Sequence, residues 1–175
     1  MAYDAATRTT VLFGGLGGAR RLGDTWTWDG SAWTQQAPAR SPSARNDAAM
    51  AYDAATGTVV LFGGINNNRR KLGDTWTWDG STWTKQAPAT SPPPLGATSM
   101  TYDAATHGIV MFGGNRHGEY GGTWTWDGSV WTKQAPAAHP SARSDAAMAY
   151  DAASRDVVLF GGTVRAPAGG TWTWG

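Results

Sequence analysis

Read for alternation of apolar and polar positions, residues 46 to 88 divide into four short runs separated by turn residues. The first, "DAAMAYD", alternates weakly and leads into Asp53-Ala54-Ala55-Thr56-Gly57, a turn by composition. "TVVLFGG" follows, a β-branched and aromatic stretch closed by two glycines, which is the pattern of a buried strand. "DTWTWDG" alternates strictly, so that Trp76 and Trp78 share one face and Thr75 and Thr77 the other. Asp79-Gly80 predicts a tight hairpin with both residues at positive φ. It leads to "STWTKQAP", a more polar fourth strand ended by proline.

The same pattern recurs along the chain. Phe-Gly-Gly begins at Phe13, Phe62, Phe112 and Phe160, spaced by 49, 50 and 48 residues. "TWTW" begins at Thr25, Thr75, Thr123 and Thr171, and Tyr-Asp at Tyr3, Tyr52, Tyr102 and Tyr150. The copies span about 1–45, 46–95, 96–143 and 144–175, within a single domain of residues 1–175. The fourth stops after "GGTWTWG", without a counterpart of "DGSTWTKQAP", and is expected to lack its outer strand. That would leave the edge of its "TWTW" strand open to another chain. Four short antiparallel strands per repeat of this length is the description of a propeller blade.

The order "VVLFGG", a variable stretch, "TWTWDG" and then Trp83 resembles the Kelch repeat, in the bacterial form similar to the galactose oxidase central domain. The resemblance covers essentially the whole chain. It implies an all-β fold, a β-propeller of four-stranded antiparallel blades, about four per chain. It further implies that the first strand of each blade lies innermost and the fourth outermost. The tryptophans then become packing between blades. Each ring removes roughly 150–250 Å² from water, on the order of 4–6 kcal/mol gross at about 25 cal/mol per Å².

Composition agrees with a turn-rich β protein: 24 glycines and 11 tryptophans in 175 residues, with only 15% charged. There is no cysteine, so a disulfide framework and a thiolate metal site are excluded, and with them the cysteine-tyrosine copper chemistry that names the resembled subfamily. The longest apolar runs, such as "VVLF", are one strand long, so no membrane partner is expected. The start carries neither a basic region nor an apolar stretch of signal-peptide length. A fragment of a longer exported protein would read the same way.

Alternating strand direction sorts a net charge of +1 onto two rims. The loops after second strands, together with the linkers between copies, hold ten basic residues against five acidic ones. The turns after first and third strands hold eight aspartates against Arg8 and Arg155. Those aspartates occupy turn positions where the side chain bonds nearby backbone, and no EF-hand spacing appears among them. The basic rim is where the copies diverge: "LGGARRLGD", "INNNRRKLGD", "NRHGEYGG" and "TVRAPAGG". Variable loops on a constant frame are a usual place for binding. The candidate binding residues are therefore Arg20, Arg21, Asn67, Arg69, Arg70, Arg116, His117, Tyr120 and Arg165. In the linkers, "SARNDAAM" and "SARSDAAM" place Arg45, Asp47, Arg143 and Asp145 before inner strands, whereas the middle linker reads "PLGATSM". Those four residues mark either a structural contact or the cationic mouth of a channel.

His107, His117 and His139 have no paired spacing, and no nucleophile elbow or phosphate loop is present. No catalytic, cofactor or metal residue is assigned, and no cofactor is expected. The reading is a non-catalytic binding scaffold that holds a protein or an acidic glycan; nucleic acid is not favoured, because the basic rim lacks interleaved aromatics. The alternative is an assembly unit, a partial propeller completed by a head-to-tail homodimer. An enzyme is the third possibility.

Overall fold

The computed structural model of the chain describes residues 1–163 and 170–175, which form strands and turns and no helix. The first sheet holds β1 (Ala2–Asp4), β2 (Thr9–Gly17), β3 (Arg20–Trp28) and β4 (Trp33–Gln36). After β5 (Arg45–Asn46), the second holds β6 (Ala49–Asp53), β7 (Thr58–Phe62), β9 (Thr75–Trp78) and β10 (Trp83–Lys85). β8 (Ile65–Asn66) pairs with β5 as a small separate ladder. The third sheet is β11 (Ser99–Asp103), β12 (Gly108–Phe112), β13 (Thr123–Trp126) and β14 (Trp131–Gln134). The fourth has three strands, β15 (Ala147–Asp151), β16 (Asp156–Phe160) and β17 (Thr171–Trp174). Within each sheet the strands are antiparallel and follow chain order, and no sheet closes on itself. The first strands of successive sheets lie against one another.

The double glycine after the phenylalanine of the second strand is a seat in the first three sheets. Gly63 and Gly64 sit at φ +69° and +97°, conformations open to glycine and costly for other residues. A Cβ on Gly63 would lie 2.5 Å from the Leu95 carbonyl oxygen, and the Gly64 N–H donates to that same oxygen at 2.8 Å. Gly14 lies equally close to the Arg45 carbonyl, and the Gly114 N–H donates to the Arg143 carbonyl. The segment entering each new sheet thus rests on the glycines of the sheet before it. That is why Phe-Gly-Gly recurs with so little variation.

The Asp-Gly turns form hairpins, but not with the expected geometry. Trp78 pairs with Trp83, so the loop has four residues, and of Asp79 and Gly80 only Gly80 has positive φ. Asp79 serves through its side chain: Oδ1 accepts the N–H of Ser81 at 2.9 Å and of Thr82 at 2.7 Å. Asp29 and Asp127 repeat this arrangement. In the first turn of each sheet, Asp4, Asp53, Asp103 and Asp151 likewise accept the N–H two residues on.

The core lies between sheets. Val11 and Phe13 of the first face Val59, Leu61, Trp78 and Trp83 of the second. Val60 and Phe62 of the second face Ile109, Met111, Trp126 and Trp131 of the third. Trp83 meets Phe13 edge-on at 5.4 Å between centroids, and its indole N–H donates to Thr25 Oγ1 at 2.9 Å. Trp131 repeats both contacts with Phe62 and Thr75. The indole nitrogens of Trp83 and Trp131 are therefore satisfied by the preceding sheet, whereas those of Trp78 and Trp126, also buried, have no hydrogen-bond partner among the described residues. Between the third and fourth sheets, Phe112 and Thr123 instead line a small cavity of about 40 Å³ with Trp172 and Trp174.

Gly63→Ala is expected to cost about 3 kcal/mol in urea denaturation, because strain at positive φ adds to a backbone collision. Gly18→Ala is the control. It shares the positive φ, at +62°, but has open space around it, and is expected to cost only about 1 kcal/mol.

Candidate functional site

The linker arginines turn inward. Arg45 is fully buried, and its guanidinium meets the Asp74 carboxylate side by side, Nη1 to Oδ1 at 2.7 Å and Nη2 to Oδ2 at 2.9 Å. It also donates to the carbonyls of Ser43 and Gly63. Its own carbonyl rests on the first sheet while its side chain reaches the second, so Arg45 ties the two together. The partner is Asp74 rather than the nearby Asp47, which is exposed at φ +55°. Arg143 reproduces the burial and the carbonyl contacts, with Nη1 donating to Gly161 O at 2.8 Å, but Gly170 stands where Asp74 stands. Asp145, at φ +57°, reproduces Asp47. These residues do form one chain across the sheets: the Ala97 N–H donates to Asp47 O, and the Asp145 N–H to Ala97 O. Its links are backbone groups, and the two guanidinium charges are turned away into the interior.

The third sheet replaces this pair as a set. Leu95 stands where Arg45 stands and is buried in the apolar core, and Gly122 stands where Asp74 stands. Asp74 also accepts the Trp76 indole N–H; in the third sheet the Trp124 indole donates instead to Tyr120 Oη at 3.0 Å. Tyr120 lies directly over Gly122, where any Cβ would collide with its ring. This candidate loop residue is therefore a core residue as well. The glycine in place of Asp before "TWTW" was the sequence signal for it.

The variable loops converge elsewhere. Between the loops that follow β7 and β12 lies an open cleft of about 480 Å³, lined by Arg69, Arg70, Lys71, Pro94, Arg116 and His117. Asn66 builds its first wall: Oδ1 accepts the N–H groups of Asn68 and Arg70, both at 3.0 Å, with Arg69 at φ +58° between them. Lys71 then crosses to the second loop, where its ammonium donates to Asn115 Oδ1 at 2.6 Å and to the Arg116 carbonyl. The lock between the loops was not anticipated, although Lys71 is part of the same basic run. Glu119, bridged to Asn115 through the backbone, is the carboxylate of the second loop.

The remaining candidates are dispersed. Arg20 is exposed on the β2–β3 hairpin, while Arg21 is anchored, its N–H donating to Asn67 Oδ1 at 2.9 Å and its Nε to Asn46 Oδ1 at 2.7 Å. Asn67 thus ties the first sheet to the cleft loop. Arg165 lies outside the described residues. Of the histidines, only His117 reaches the cleft; His107 and His139 line separate hollows. Among the described residues, no three His, Asp or Glu side chains gather as a metal site would require. No family model matches the chain, and no curated protein matches it.

At the opposite end of the sheets the aspartates are engaged in their turns. The Ser31 hydroxyl and the N–H groups of Ala32 and Ser31 hold Asp29 below the usual carboxylate value. The N–H groups of Val130 and Ser129 do the same for Asp127. For Asp74, burial pushes the carboxyl upward, but hydrogen bonds from Arg45 and Trp76 and the Arg45 charge outweigh it and leave the group lowered.

A carboxylate lowered in the folded state stabilises fully above its unfolded value of about 3.9, and that contribution is lost as pH falls through the folded value. Asp74→Asn is therefore expected to cost about 3 kcal/mol at neutral pH. Its deficit relative to the parent should shrink below about pH 4. Denaturant titrations at several pH values read both quantities.

Proposed function

We propose that the chain is an arc of Kelch-type propeller blades acting as a non-catalytic binding scaffold, with an acidic saccharide held in the cleft between the loops after β7 and β12. Several features support the propeller reading. Four sequence repeats fold as four successive antiparallel sheets, first strands lie against first strands, and indoles pack between sheets.

The binding reading is carried by one observation: three arginines, a lysine and a histidine meet around a single concavity where the repeats differ most in sequence. Its volume falls in the range of roughly 300–1,000 Å³ usual for small-ligand sites, which favours a sugar acid or sulfated sugar over a flat protein surface. Guanidinium groups suit carboxylate and sulfate because their planar N–H fork matches two oxygens at once. The cross-loop bond from Lys71 holds the two walls in register before any ligand arrives, which limits the ordering cost of binding.

The test is a titration of the chain against uronate-bearing and sulfated oligosaccharides, with an acidic peptide as comparison. Replacing Arg69, Arg70 and Arg116 together by Ser should weaken saccharide binding at least about tenfold while leaving the unfolding midpoint unchanged. Binding should also weaken with added salt. Unaltered saccharide binding by the triple variant would overturn the reading, and selective capture of the acidic peptide would move the assignment to a protein partner.

A further inference from the structure

The two outermost sheet faces are separate halves of a contact that the chain makes twice internally. Trp83 and Trp131, on the fourth strands of the second and third sheets, are both completely buried against Phe13 and Phe62 of the sheet before. In each case a threonine in register with the phenylalanine accepts the indole N–H: Thr25 beside Phe13, and Thr75 beside Phe62. The first sheet carries the matching tryptophan, Trp33, which is 44% exposed. The fourth carries the matching seat, Phe160, which is 61% exposed and in register with Thr171.

The surroundings match as well. On the Trp33 side stand Tyr3, Leu12 and Trp28, whose counterparts Tyr52, Leu61 and Trp78 pack into the boundary between the first two sheets. On the Phe160 side stand Ala149 and Val158, whose counterparts Ala51 and Val60 are buried between the second and third. Phe160 itself ends a strand whose equivalent residues Phe13, Phe62 and Phe112 are at most 6% exposed. An apolar face of this kind on a soluble chain marks an interaction surface.

We propose that these faces bind each other between copies of this chain, with Trp33 of one copy seated edge-on against Phe160 of the next and donating to its Thr171. A second copy is the occupant because it carries the complementary tryptophan in the same strand and register as the two internal examples. The contact is heterologous: each copy uses one face as donor and the other as seat, so an open assembly keeps one unused half at each end until a ring closes. It is independent of the basic cleft, whose residues lie on the loops of the second and third sheets.

The experiment is sedimentation of the full chain across a concentration series, with Trp33→Asp and Phe160→Asp as single variants. The parent should gain mass with concentration. Each variant should keep its β circular dichroism, since Trp33 is 44% and Phe160 61% exposed, and should self-associate at least about thirtyfold more weakly. An equimolar mixture of the two variants should form a 1:1 dimer and nothing larger, because Trp33→Asp retains the seat and Phe160→Asp retains the tryptophan. The milder pair Trp33→Ser and Phe160→Ser should show the same pattern. A parent that stays monomeric throughout, a variant that still assembles, or a mixture that stays monomeric when the parent assembles would each overturn the proposal.

Discussion

The first two of the three sheet boundaries depend on an indole that belongs to one sheet and is completed by the sheet before it. A buried tryptophan contributes a large apolar area, but it also brings an N–H that is costly to bury without an acceptor. Here the acceptor is the first threonine of the preceding "TWTW", and the ring edge is met by the phenylalanine before the preceding glycine pair. Three landmarks of the repeat are thus parts of one contact, divided between neighbours. A sheet of this kind does not bury its own aromatic surface, and stability becomes a property of adjacent pairs.

The strands of each repeat's main sheet and their order were legible because four copies agree, whereas the short β5–β8 ladder carried no such signal. Local signals were less sufficient where a residue's partner lies far along the chain. The linker sets Arg45 two residues from Asp47, yet its partner is Asp74, 29 residues along, just before the third strand of the second sheet. The Asp-Gly pairs correctly marked hairpins, but the following Ser and Thr offer N–H groups to the aspartate, and a wider turn capped by the side chain results. Tyr120 read as a loop residue because its role depends on the space that Gly122 leaves beneath it.

The charge sorting needs a similar refinement. Counting places Arg45 and Arg143 among the cations of the variable end, yet both are withdrawn from water, and one is neutralised by a carboxylate. What remains at the surface is more local than a charged rim. It concentrates where two loops from neighbouring sheets are joined by Lys71, whose ammonium is spent on the joint while the arginines face the opening. Position, rather than net charge, distinguishes this spot from the rest of that end.

The replacement of Arg45 and Asp74 by Leu95, Gly122 and Tyr120 in the third sheet bears on how such a chain can diversify. Repeats this similar invite recombination with one another. A crossover falling between the linker and the "TWTW" strand would set a tyrosine ring against an aspartate side chain, whereas a buried arginine without the carboxylate is tolerated, as Arg143 with Gly170 in the fourth sheet shows. Exchange that carries the whole stretch from residue 95 to residue 122 keeps the set intact. Tyr120 and the glycine beneath it are therefore bound to vary together, while the exposed arginines of the loops can be substituted one at a time.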